Sequence, residues 1–180
     1  MKTGLFQPHA MALFDEWTGV KDKERASIAR GAALFGAARI NITGVGGLND
    51  ALGAPVIRGS CTSCHDAPNI GNHSVSLPID IGIADASRRT PDMPLYTLRH
   101  KKTGATRQTT DPGRALLTGR WKDIGKFKGP VLRGLASRRP YFHDGSAADL
   151  GEVIDLYDQR FGIGFSDREK EDLFNFLSAL

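Results

Sequence analysis

The chain has 180 residues, 40% hydrophobic and 24% charged, with 24 Lys and Arg against 20 Asp and Glu for a formal charge of +4. That fits one globular domain and excludes disorder and fibrous repeats; no apolar run nears the ~20 residues of a membrane span. The charge could steer an acidic partner but reads first as solvated surface; with no basic run of five, and no basic cluster interleaved with aromatics, nucleic-acid binding is set aside.

Met1–Pro8 lacks the apolar centre of a secretory signal, so the chain is either cytoplasmic or shortened at its start. Residues 1–24 read as an N-terminal extension or linker remnant and residues 25–180 as one domain. Arg25 to Arg39 reads as a helix, with Ile28, Ala32, Phe35 and Ala38 on one stripe. Seven prolines from Pro55 to Pro130 forbid long helices there and predict a loop-dominated excursion. Within it, Leu95–Arg99 and Ala105–Thr110 flank a turn and could form one small hairpin. The rest reads as helix or loop. Asp149 to Glu152 forms a capping-box pattern before a face of Leu150, Val153, Ile154, Tyr157 and Phe161. Ser166 to Glu169 repeats it before Leu173, Phe174, Leu177 and Leu180.

The two cysteines are Cys61 and Cys64, and His65 follows at once. Random placement gives this constellation about three times in ten thousand, and Cys-x-x-Cys-His is the attachment signature of c-type haem. On a helical turn the two thiols face one porphyrin edge and add to its vinyl groups. His65 then lies beneath the ring as proximal iron ligand, its other nitrogen free to donate to a backbone carbonyl. A disulfide across two residues would be strained, a zinc site lacks a second ligand pair, and a thioredoxin-like pair wants a βαβ context. One motif means one haem. Since covalent attachment in bacteria takes place outside the cytoplasm, the expected location is the periplasm.

Gly31–Phe35, Cys61–His65, Asp111–Arg114, Phe127–Arg133 and Pro140–Gly145 together resemble the C-terminal haem domain of bacterial di-haem cytochrome c peroxidases and their MauG-type relatives. The likeness covers about Arg25 to Leu180. It implies a cytochrome c fold, so the expected class is all-α: a cytochrome c domain with a long Pro-rich loop insertion and one small β-hairpin. In such a domain the first and last helices cross closely, here with Gly31 and Phe35 against Phe174 and Leu177. The family's second, N-terminal haem domain, where peroxide or an activated substrate is handled, has no counterpart in this sequence.

Three candidates compete for the sixth iron position. Tyr157, fourteen residues after His143, stands where peroxidases of the family carry a ligand Met and MauG-type members a Tyr; as phenolate it would need its pKa, normally ~10, lowered by ferric iron. Met93, between Pro91 and Pro94, is the thioether alternative. A histidine or an open site is the third. On the resemblance His143 takes a loop-organising hydrogen bond or else a plain surface position, His73 and His100 have structural or surface roles, and Arg133 lies beside a haem propionate or in a surface ion pair. The resemblance also implies a calcium ion held partly by the carbonyls of Arg138 and Pro140. Electron transfer with a redox partner or second haem domain is the function these readings imply, and a peroxidase or MauG-like reaction is the alternative.

Overall fold

A computed structural model describes residues 12–65 and 76–180. Its helical part is three long helices, α1 (Lys23–Ala37), α4 (Leu150–Phe161) and α5 (Asp167–Ser178), with short turns α2 (Asn49–Leu52) and α3 (Ala115–Thr118) between them. Each long helix starts on a side-chain cap: Asp22, Asp149 and Ser166 accept from the backbone N–H three residues on. Only Ser166 and Glu169 complete the reciprocal box; the Glu152 carboxylate instead accepts from the Ala148 N–H at 2.7 Å.

The all-α expectation is wrong. The protein is mixed α/β, with two antiparallel strand pairs among the described residues: β1 (Ile40–Thr43) with β2 (Val56–Gly59), and β3 (Tyr96–Arg99) with β4 (Thr106–Thr109). The second pair is the hairpin the sequence suggested. The first was missed because four residues give little pattern, yet Ile40 and Ile42 alternate inward with Asn41 outward, and they register on Gly59 and Ile57. Asn49 holds the connection. Its buried amide donates to the carbonyls of Ile42 at 3.0 Å and Ala54 at 2.8 Å and accepts from the Val45 N–H at 2.9 Å.

Two apolar cores result. The first lies between α1, α4 and α5, around Ile28, Phe35, Ile154, Leu173 and the fully buried Phe176, and Phe14 joins it with its ring 5.6 Å from that of Phe176. Phe174, expected inside, is 41% exposed, because Leu173, Phe176, Leu177 and Leu180 define the inward stripe and leave it off to one side. The second core gathers Ile40, Ile42, Val45, Ile79, Ile81 and Leu156. Arg160 ties α4 to it, donating to the carbonyls of Ile81 and Thr43 at 3.0 Å each. Cys61 and Phe142 pack against both cores, so the seam between them is where the Cys-x-x-Cys-His motif sits.

Candidate haem site

Cys61–Ser63 forms a 3-10 turn entered directly from β2. Gly59 is required at that entry, since a Cβ there would lie 2.2 Å from the Ser63 hydroxyl, which accepts from the Ser60 N–H. The Cys61 carbonyl accepts from both Cys64 N–H (3.2 Å) and His65 N–H (2.9 Å), fixing the motif as one compact turn. Both thiols are free and partly buried, and burial pushes Cys61 up to about 11.

The His65 ring lies between two aromatic residues from different helices. Phe35 of α1 is 6.2 Å away and Tyr157 of α4 is 6.5 Å away edge to face. Burial pushes the His65 imidazole down to about 4 and raises the Tyr157 hydroxyl above the ordinary phenol range. The His65 Nδ1 is buried with no hydrogen-bond partner among the described residues, so the carbonyl acceptor expected from sequence is not found among them. An orphaned buried polar atom costs about 1–3 kcal/mol. Two unpaired thiols, this imidazole and a facing phenol in an otherwise apolar seam are the donor set that a thioether-linked, iron-bearing macrocycle uses, and the residues present fit such a group.

The other predicted residues fall at varied distances from this centre. Met93 is half-buried in the Pro91–Pro94 turn, outside both cores, its N–H on the Thr90 carbonyl. Arg133 is exposed, and its carbonyl accepts from the Arg138 guanidinium at 2.7 Å. Arg138 and Pro140 are exposed. His143 makes the loop contact expected of it: Nδ1 meets the buried Asp111 carboxylate at 2.5 Å, and its ring lies 4.9 Å from Phe127. His100 packs on Trp121 at 5.3 Å. His73 lies outside the described residues.

Sequence reasoning missed Phe142 and Arg88. Phe142 holds a left-handed backbone (φ 65°) that carries its ring into the seam beside Cys61. Its place in the Pro-Tyr-Phe-His run was the available signal. Arg88 lies over that ring at 5.7 Å and donates to the Ser146 hydroxyl at 3.1 Å, while its Nε is buried without a partner among the described residues.

No family model matches the chain. It is 30% identical to cytochrome-c peroxidase IdrP1 of Pseudomonas sp. (strain SCT), over 68% of this chain and 37% of that protein. It is 27% identical to IdrP1 of Denitromonas iodatirespirans over 93% and 44%, and 28% identical to the cytochrome c551 peroxidase of Nitrosomonas europaea over 71% and 33%. The chain thus spans between a third and just under half of the curated relatives it matches. No helix among the described residues is long and apolar enough to cross a membrane. With these relatives and a seam built around Cys61, Cys64 and His65, the chain belongs to the bacterial di-haem cytochrome c peroxidase family, whose cofactor is haem c.

Proposed function

We propose that this chain is a one-haem c-type domain that passes single electrons, in which Cys61 and Cys64 would hold the haem and His65 and Tyr157 would ligate its iron. The observation that carries this is the edge-to-face pairing of His65 and Tyr157 at 6.5 Å beside both thiols. Met93 is the competing sixth ligand; its position outside both cores favours Tyr157. When bound, the haem supplies a one-electron iron couple whose potential the axial ligand sets. The chain's part is to hold that centre rigid and dry, with Phe35 and Phe142 closing the seam from α1 and from the 140–145 loop. For the propionates, Arg133 is the candidate by motif, and Arg88 joins it because its buried Nε lacks a partner. The periplasm is the compartment in which such attachment takes place.

A second reading rests on the relatives' names and lengths: the chain is one part of a di-haem peroxidase or MauG-like oxidoreductase, completed by another haem domain and by calcium at the Arg138 and Pro140 carbonyls. The test is an absorption spectrum of matured protein, ferric and ferrous, with added cyanide and peroxide. Electron transfer predicts a filled sixth position that neither reagent displaces quickly; ready exchange favours the enzymatic reading. Tyr157→Phe alters the ferric spectrum and Met93→Leu leaves it unchanged; the reverse result assigns Met93.

A further inference from the structure

The overall charge of +4 conceals a sharp asymmetry. Residues 95–128 hold nine basic and two acidic side chains, a net +7, so the rest of the chain sums to −3. Both acids, Asp111 and Asp123, are buried, whereas eight of the nine bases are exposed. Folding concentrates them: the His100–Trp121 ring contact joins the β3–β4 turn to the segment after α3.

Five of these bases, Arg107, Arg114, Arg120, Lys122 and Lys126, line a crevice of about 540 Å³ together with Pro78 and Asp80. Two further carboxylates line it, Asp50 at 3.8 Å from Lys126 and the buried Asp123 at 3.8 Å from Arg114, so five bases stand against three acids and leave a positive excess. Between Arg114 and Arg120 project Leu116 and Leu117, 72% and 90% exposed. Exposed leucines flanked in the chain by Arg114 and Arg120 add an apolar element to a charged surface, the mixed composition of a docking patch.

The position of the crevice argues for what docks there. Ile79 and Phe127 exchange backbone hydrogen bonds at 2.8 and 2.9 Å as an antiparallel bridge. Side chains alternate across such a bridge. Pro78, Asp80 and Lys126 therefore face the crevice, while Ile79 and Phe127 face the core that includes Cys61, Cys64 and Tyr157. The basic crevice and the candidate haem site lie on opposite faces of a single backbone layer. A concave site in that position suits a protein that exchanges electrons, and a flat bilayer cannot fill it.

We infer that this basic crevice and the Leu116–Leu117 tip form a docking surface for an acidic redox protein. The inference rests on the redox reading above. It is tested on the haem-loaded chain with plastocyanin, an acidic blue-copper protein, as probe, by calorimetric affinity and by the second-order rate of electron transfer. Both are expected to fall about tenfold or more between about 20 and 200 mM salt. Arg120→Glu with Lys122→Glu causes a similar loss at low salt, and Lys21→Glu with Lys23→Glu, an equal charge change on another exposed segment, causes little. Equal losses in both pairs, or salt-independent binding by a red, reducible protein, overturn the docking surface alone. So does binding to phosphatidylglycerol vesicles without binding to plastocyanin. A colourless matured chain overturns the redox reading itself, whatever the probe does.

Discussion

Gly31 of α1 lies directly against the Asp172 carbonyl of α5: a Cβ at Gly31 would sit 2.0 Å from that oxygen and 2.6 Å from the Phe176 Cβ. Both obstacles belong to a helix and cannot rotate aside, so the crossing depends on the missing methyl. Gly31→Ala is expected to destabilise the protein by about 3 kcal/mol despite its better helix propensity. Urea midpoints check this, and an unchanged midpoint would mean the helices do not cross here.

Asp172 contributes a second, pH-dependent link at the same crossing. Its carboxylate takes Arg30 Nε and Nη2 at 2.7 and 2.6 Å and the Ser27 hydroxyl at 2.6 Å. Burial opposes its ionisation, but these hydrogen bonds outweigh burial and hold its pKa below the usual carboxylate value of 3.8. A lowered folded-state pKa stabilises above the unfolded value, and that stability is lost as pH falls through the folded one. Melting temperature should therefore drop below about pH 4. Asp172→Asn should flatten part of that drop, at a cost of about 2 kcal/mol at neutral pH, moderated because Arg30 is 44% exposed. A variant with the wild-type pH profile would exclude Asp172 as its source.

Asn49 clamps the β1–β2 connection through both ends of its amide. Asn49→Ala strands the Val45 N–H and the Ile42 carbonyl and should cost about 2 kcal/mol. Hydrogen exchange localises the effect: amides of β1 and β2 should exchange faster while those of α5 keep their protection. Uniform acceleration would show that the hairpin is not a separable unit.

Asp111 holds the 140–145 loop through His143 and also accepts from the Gly113 N–H at 2.8 Å. Asp111→Ala should cost about 1–2 kcal/mol and loosen the Tyr141–Ala147 bridge, whose N–H to carbonyl distance is 2.7 Å. Faster exchange at the Tyr141 amide is the specific sign. Retained protection would mean that this loop is held by the Phe142 packing alone.

The parts of the fold written in local pattern were legible. Asp149 and Ser166 announced α4 and α5, and Cys61, Cys64 and His65 pointed to the candidate site. What was lost depends on contacts between distant segments. Ile40 and Ile42 become a strand only when Val56 to Gly59 lies beside them, and Leu156, on the opposite side of α4 from Ile154, is buried only because a second core exists there. The run of bases from Arg99 to Lys128 stands in the sequence, but that five of them line one crevice does not, since folding selects which side chains meet there. Arg88 carried no signal in the sequence, since its placement over Phe142 follows from that residue's left-handed backbone.

The central claim is a covalent bond from each of two thiols to one porphyrin. Intact-mass measurement of the chain, made alongside bacterial haem-attachment machinery, tests it most directly. The wild-type chain is expected at the polypeptide mass plus one haem, and the variant combining Cys61→Ala and Cys64→Ala at the bare polypeptide mass. A colourless wild-type product of unmodified mass would contradict it.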